Sequence, residues 1–197
     1  MAIPALPGQT RTPPSATAVE GFNTAPADET HATLLTCLHS PRWAQRIAEH
    51  RPYPDLDSLL AAADEAAYDL SPADLAEALA AEALPPLPED TYSAAHTALS
   101  AAHAAYEARF GHVFVIYLGD AAPEEALDRV LEGIRSRLAN DPDEERVVAA
   151  EELRRLARGR LAAATRGAGQ RRAAAPPRGA DSHGGTTPGG YQDTPPR

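Results

Sequence analysis

Apolar residues recur at helical spacing along most of the chain, in stretches that start and stop at recognisable signals. Leu56, Leu59, Leu60 and Ala63, for example, are three or four positions apart and share one helix face. Proline or a capping residue opens each stretch, as Ser71-Pro72 does. The pattern predicts about seven helices, with these approximate ranges or starts: 26–38, Ser40-Pro41, 55–68, 71–84, 90–111, 123–138 and Asp141-Pro142.

Individual faces of these helices indicate which side chains enter the core. Trp43 and Ile47 are spaced to face one core in the second helix. The fifth helix carries one stripe and the last helix another, with Glu and Arg turned to water. The residues predicted to lie inward on these two stripes are Leu99, His103, Tyr106, Phe110, Val147, Val148, Leu153, Leu156 and Leu161.

Residues 113–118 differ from the rest of the chain, because this short run is rich in β-branched and aromatic residues. It is predicted to be a buried extended segment. The runs 1–19 and 166–197 are rich in Pro, Gly, Ala, Thr and Arg and lack apolar periodicity, so they are predicted to be disordered tails. The fold class is therefore all-α, with a single compact domain over 20–165.

Composition and charge exclude several classes of function. The formal charge is −10, to which 1–19 contribute +1 and 166–197 contribute +3, leaving −14 on the central domain. Nucleic acid needs a basic face and is excluded as a partner. The single cysteine, Cys37, excludes a disulfide framework and a Cys-rich zinc site. No run approaches a membrane span and no signal-peptide pattern opens the chain, so we expect a cytoplasmic protein without a membrane partner.

Metal and cofactor motifs do not emerge from the sequence. His103 and Glu107 share a helix face, but no HExxH pattern, third ligand or thiolate cluster accompanies them. There is no GxSxG, phosphate-cradling loop or dinucleotide fingerprint. We therefore predict no metal and no cofactor.

Two side chains have both a structural and a functional interpretation. His96 on the fifth helix either packs or faces solvent, or it points into a pocket. Arg137, at the end of the sixth helix, either matches the helix dipole or grips a substrate carboxylate with its planar fork. Periodicity does not choose between these alternatives.

Several short motifs, taken together and in order, carry a resemblance over residues 22–161. They are Phe22-Asn23, the C-x-x-S-x-x-W pattern of Cys37, Ser40 and Trp43, Arg51-Pro52-Tyr53, LSPADLAEALAA from Leu70, YEARFGHVFVI from Tyr106, Arg137-Leu138-x-Asn140-Asp141-Pro142 with Glu145, and Arg160-Leu161. This ordered set resembles the 2-oxo-4-hydroxy-4-carboxy-5-ureidoimidazoline (OHCU) decarboxylases of urate breakdown.

The resemblance implies an all-helical, cofactor-free carboxy-lyase that converts OHCU to (S)-allantoin and carbon dioxide, and it is compatible with a homodimer. A small ureidoimidazoline would be the substrate. Arg137 would hold its carboxylate, and backbone groups of Phe114, Val115 and Ile116 would line the pocket. Ser93 and Asn140 complete the implied substrate-binding set.

The residues for proton delivery depart from the family pattern. Where the family has His-Pro after the LSPADLAEALAA-like helix, this chain has Glu82-Ala83. Where the family has Ser-x-x-Glu-Gln, this chain has Ser93 followed by His96-Thr97. Three interpretations stay open: Glu82 and His96 form an exchanged catalytic acid/base pair, the domain is a non-catalytic ligand or protein binder, or the chain interacts through its basic C-terminal segment.

Overall fold

The computed structural model describes residues 14–83 and 93–174, and within these the side chains of 19–83, 97–122 and 125–168. This part of the chain is all-α and contains no strand, which confirms the predicted fold class. No helix in it is both long and apolar enough to cross a membrane. Its eight helices are α1 (Pro14–Thr24), α2 (Ala27–Cys37), α3 (Pro41–Glu49), α4 (Leu56–Tyr68), α5 (Pro72–Ala80), α6 (Ser93–Phe110), α7 (Pro123–Arg137) and α8 (Pro142–Ala174).

Side-chain caps fix the starts of the helices where the sequence places capping residues. The Ser40 hydroxyl accepts from the Trp43 N–H at 3.3 Å, and the Asp55 carboxylate accepts from the Ser58 N–H at 2.7 Å. Ser71 and Asp74 form a reciprocal capping box at the start of α5. Because each cap satisfies a backbone N–H that the helix leaves unpaired, these helix starts agree with the sequence to within a residue.

The ends of the domain differ from the prediction. α1 begins at Pro14, inside the segment 1–19 that was predicted to be a tail, and α8 continues to Ala174, beyond the predicted end at 165. Val19 and Phe22 are buried, and α1 packs against α8. Burial against a distant helix orders a segment whose own sequence is too short to show a pattern. The rest of the predicted tails, 1–13 and 175–197, lies outside the described residues.

The described residues form two hydrophobic clusters. The larger cluster lies where α8 packs against α1, α2 and α4, and it contains Trp43 and Ile47 as predicted. The smaller lies between α6 and α7 and contains Leu99, Tyr106 and Ile134. Since no described helix has residues in both clusters, the segment that joins the clusters matters for the position of one relative to the other.

That segment is 113–118, which has neither helix nor strand geometry. Phe114 packs in the smaller cluster and its neighbour Val115 in the larger one. The prediction that this run is not helical is confirmed, whereas its predicted burial holds for Phe114 and Val115 but not for Tyr117, which is 44% exposed. On α7, a Cβ at Gly133 would lie 3.0 Å from Cζ of Phe114, so this glycine permits the close approach of the segment.

One predicted face of α8 is wrong in detail. Val147 was expected to pack inward, but 71% of it is exposed, and Glu145 is instead fully buried. Glu145 lies four and eight positions before Ala149 and Leu153, both buried, so it belongs to the inward stripe of the helix. The carboxylate takes this position because it has partners there, which the next subsection describes.

Alanine substitutions at Gly21 and Gly111 test whether the backbone conformation of a glycine, rather than the space around it, decides its effect on stability. A Cβ would meet nothing within 4 Å at either position, but Gly111 has φ +77°, whereas Gly21 lies within α1. Gly111→Ala should lower the free energy of unfolding by about 1 kcal/mol, because the left-handed conformation is costly for alanine. Gly21→Ala should raise it by up to about 1 kcal/mol through helix propensity. Urea unfolding followed by circular dichroism measures both, and changes of the same sign would contradict this account.

Candidate active site

The middle of segment 113–118 is held by a buried arginine. Arg137, at the end of α7, donates from Nη1 to the Val115 carbonyl at 2.6 Å. Its guanidinium carbon also lies 4.6 Å from the centre of the Phe114 ring, within the range of a cation–π contact. Arg137 thus contacts the segment at two places, the backbone carbonyl of Val115 and the ring of Phe114.

Glu145 balances the charge of Arg137. Its Oε1 accepts from Arg137 Nε at 2.8 Å and Nη2 at 2.5 Å, and it also accepts from the Tyr106 hydroxyl. Its Oε2 accepts from Asn140 Nδ2 at 2.8 Å. Burial and the hydrogen bond to Glu145 raise the pKa of Tyr106, which keeps the phenol protonated as a donor. All parts of this buried pair therefore have partners, as a buried charge requires.

The other end of the segment is held by α8. The Tyr117 N–H donates to Glu152 Oε2 at 2.6 Å. A Cβ at Gly159 would lie 3.0 Å from the Tyr117 ring, so the absence of a side chain there lets the ring lie against the helix. Between these anchors, the N–H groups of Val115 and Ile116 have no hydrogen-bond acceptor among the described residues.

A cavity of about 370 Å³ lies beside this segment, between the end of α5 and α8. This volume is within the range of small-molecule sites, roughly 300–1,000 Å³. Its lining combines two opposite charges with peptide groups and apolar side chains. The lining residues are Glu82, Ala83, Phe114, Val115, Ile116, Tyr117, Leu118, Gly119, Leu156 and Arg160.

The two charged residues of the cavity form a fork-to-fork pair. Arg160 donates from Nη1 to Glu82 Oε1 at 2.7 Å and from Nη2 to Oε2 at 2.8 Å. Nη1 also donates to the Cys37 carbonyl at 3.2 Å. The Glu82 side chain is almost buried, at 4% exposure, whereas 36% of the Arg160 side chain is exposed. Hydrogen bonding to Glu82 raises the pKa of Arg160, so the accessible group is a permanent cation.

The structure brings together four of the residues that the sequence selected, namely Glu82, Phe114, Val115 and Ile116. Ser93 and His96 lie on α6, but their side chains are outside the described part.

The structure separates Arg137 and Asn140 from the other predicted substrate-binding residues that it describes. Neither lines the cavity, and their donors are used by Glu145 and the Val115 carbonyl. Arg137 therefore positions the segment in this structure, and its contact with a substrate carboxylate stays a prediction.

Arg160 is the cavity residue that sequence reasoning missed, although it was part of a quoted motif. It lies four positions after Leu156 and seven after Leu153, on the inward stripe of α8. An arginine in phase with buried leucines must have a carboxylate or a ligand as its partner, because an unpaired charge is costly there. A charged residue at helical spacing from inward-facing apolar residues was therefore the signal that could have been used, and Glu145 shows the same spacing.

Another depression in the described part is mostly apolar. It measures about 280 Å³ and lies between α4, α5 and α8, beside exposed Tyr68 and Val147. Its charged groups all have partners, Arg154 with Glu151 at 2.6 Å and Arg146 with Asp143 at 2.7 Å. It therefore offers no free polar group to orient a small molecule, and the cavity at Arg160 is the better candidate for chemistry.

His103, considered above as a metal ligand, lies in the smaller core against Phe114. Its Nε2 is buried without a hydrogen-bond partner in the described part. No group of three His, Cys, Asp or Glu side chains among the described residues is arranged to hold a metal.

Fold and cavity together define an all-α domain with a cavity of small-molecule size, built from a non-helical segment and a charged pair. The sequence model of the family described as OHCU decarboxylase matches residues 23–86 and 86–162. The match covers well over half of the chain, so this protein belongs to the OHCU decarboxylase family. A comparison with curated proteins gave no match.

Solved structures share the fold. A crystal structure of an (S)-allantoin synthase has a TM-score of 0.59 and 21% identity, covering 74% of this chain and 53% of that one. The present chain thus spans about half the length of that protein. A crystal structure of an OHCU decarboxylase in the presence of (S)-allantoin has a TM-score of 0.56 and 21% identity, covering 66% of this chain and 94% of that one.

The buried pair should be a main determinant of stability. Arg137→Ala leaves Glu145 as an uncompensated charge and should lower the free energy of unfolding by about 3–5 kcal/mol. Arg129→Ala is the control on the same helix, because Arg129 and its partner Glu125 are both more than half exposed. It should cost at most about 0.5 kcal/mol. Urea unfolding measures both, and equal effects would refute the anchoring role.

His103 should make stability depend on pH. Burial lowers the pKa of His103 from its usual value near 6.5. Below about pH 6.5 the unfolded chain therefore binds a proton that the folded chain does not, and stability falls as pH falls through that value. His103→Leu should lose less unfolding free energy than wild type between about pH 7.5 and 5.5. Identical losses in urea unfolding would show that His103 does not contribute.

Proposed function

We propose that the cavity binds a carboxylated ureidoimidazoline and that the protein decarboxylates OHCU to (S)-allantoin and carbon dioxide without a cofactor. The observation that carries this proposal is the partly exposed Arg160 guanidinium, paired with Glu82, in a cavity whose other described lining residues offer mainly peptide groups and apolar side chains. Family membership supports the same reaction class, a carboxy-lyase of urate breakdown. A cytoplasmic location and a homodimer stay predictions.

Each part of such a substrate has a complementary group in the cavity. The planar guanidinium of Arg160 suits a carboxylate, which it can bind through two parallel hydrogen bonds. The N–H groups of Val115 and Ile116 can donate to the carbonyl edges of the ring. The Ile116 N–H belongs to the peptide whose carbonyl Arg137 holds, and Glu152 holds the next peptide, so this part of the segment is oriented before the ligand arrives.

The substrate itself provides the electron sink. When the carboxyl group leaves as carbon dioxide, the electron pair of the broken bond passes to the C=N group beside it. The protein then needs only to hold the carboxylate, bind the ring and deliver a proton to one face. We assign proton delivery to Glu82, which lines the cavity, with His96 as the predicted second member of an exchanged acid/base pair.

A specific observation also favours a second candidate function, ligand binding without turnover. Both terminal nitrogens of Arg160 already bind Glu82, and no histidine is among the described residues that line the cavity. If Glu82 stays bound to Arg160, the guanidinium has no free pair of donors for a ligand carboxylate. The cavity would then suit uncharged cyclic ureides. The same assay separates the two functions.

We expect purified protein to convert OHCU, generated in place from urate, to (S)-allantoin well above the spontaneous rate. Formation of the chiral product is followed by circular dichroism. Arg160→Gln should lower kcat/KM by about 100-fold, since losing a charged contact to the carboxylate costs up to about 3 kcal/mol. His96→Ala should also lower kcat if the exchanged pair operates.

Arg158→Gln is the matched control, because Arg158 lies on the same helix and is paired with Asp64 at 2.5 Å, away from the cavity. It should retain full activity. A racemic product formed at the spontaneous rate would refute the decarboxylase proposal and leave ligand binding as the function to test.

A further inference from the structure

The Glu82–Arg160 pair places a carboxylate where a carboxylated substrate would bind. The guanidinium presents two terminal nitrogens to Glu82, one for each carboxylate oxygen. A substrate carboxylate bound in the same two-pronged way needs those donors. Glu82 and the substrate therefore compete for one cation.

We propose that the substrate carboxylate displaces Glu82 from Arg160, and that the released Glu82 takes up a proton and becomes the acid that protonates the decarboxylated ring. This inference rests on the proposed function. Its physical basis is that one guanidinium can compensate one carboxylate. The Glu82 side chain is only 4% exposed to water, so without the guanidinium as its partner this carboxylate is more stable when protonated.

The surroundings of Glu82 favour this outcome. The titratable groups of the described part that face the pair are Cys37 from α2, Tyr117 from the non-helical segment and Arg160 itself from α8. Arg160 is the only cationic side chain among the described residues lining the cavity. A displaced Glu82 therefore finds no replacement counter-charge in this lining, and with 4% of its side chain exposed it gains little hydration.

The exchange supplies the one net proton that the reaction consumes. The bond between the ring carbon and the carboxylate breaks, carbon dioxide leaves, and the electron pair forms a double bond to the neighbouring ring carbon while the nitrogen of the C=N group takes the negative charge. That neighbouring carbon takes the proton from Glu82, whose O–H bond breaks to restore a carboxylate, and the proton of the ring hydroxyl moves to the nitrogen as the hydroxyl becomes a carbonyl. The carboxylate returns to Arg160, which the departure of carbon dioxide has left free. One proton is consumed for each carboxylate lost, and it is the proton taken up on binding.

Proton uptake on binding can be measured without turnover. Hydantoin-5-acetate carries a carboxylate on a cyclic ureide, and hydantoin-5-acetamide is its neutral isostere. Calorimetric titration in buffers of different ionisation enthalpy should show uptake of up to about one proton when wild type binds the acetate at neutral pH, and none with the acetamide. With ¹³C in the ligand carboxylate, infrared spectra should show that the ligand stays ionised, which places the proton on the protein.

Glu82→Gln removes the competing charge while keeping the side-chain shape. It should bind hydantoin-5-acetate about tenfold more tightly than wild type, equivalent to about 1.4 kcal/mol, and without proton uptake. Binding of the acetate to wild type without proton uptake, uptake that persists in Glu82→Gln, a protonated ligand, or no binding to either protein would each overturn the exchange. The outcome is separate from the assay of OHCU turnover, because proton uptake with the analogue can occur even if no (S)-allantoin forms.

Discussion

The buried ion pair between Arg137 and Glu145 is the interaction on which the site depends. It lies where the two hydrophobic clusters meet, and it fixes the carbonyl of Val115 from behind. Because Phe114 enters one cluster and Val115 the other, the pair also sets how the clusters are joined. A buried pair contributes little net stability compared with apolar residues of the same size, but it specifies one arrangement of its neighbours. Here that arrangement is the wall of the cavity.

The protein thus uses Arg137 and Arg160 for different purposes. Arg137 has donors that all serve the interior, whereas Arg160 is partly exposed and is neutralised by Glu82. By the motif resemblance, the family has histidine where this chain has Glu82, which predicts that the charge pair is particular to this chain. A carboxylate at that position changes the chemistry from a neutral or cationic imidazole to an anion that needs a partner. Arg160 is the partner that the fold supplies.

Much of the fold could be predicted from local patterns. The caps at Ser40, Asp55 and Ser71 and the apolar stripes set the starts and inward faces of most helices, because these signals act over a few residues. α1 was missed, since its order depends on burial of Val19 and Phe22 against α8. The inward face of α8 was partly misjudged, because polarity alone assigned Glu145 to water.

The sequence by itself determined the all-α class, the non-helical segment 113–118 and the family motifs, all of which are written in short runs of residues. Only the tertiary structure decided which arginine meets the cavity. Arg137 and Arg160 both lie in quoted motifs, and their roles depend on partners far away in the chain: Val115 for the first and Glu82 for the second. A charged side chain is stable inside a protein only beside its counter-charge, and that pairing exists only once the helices have packed.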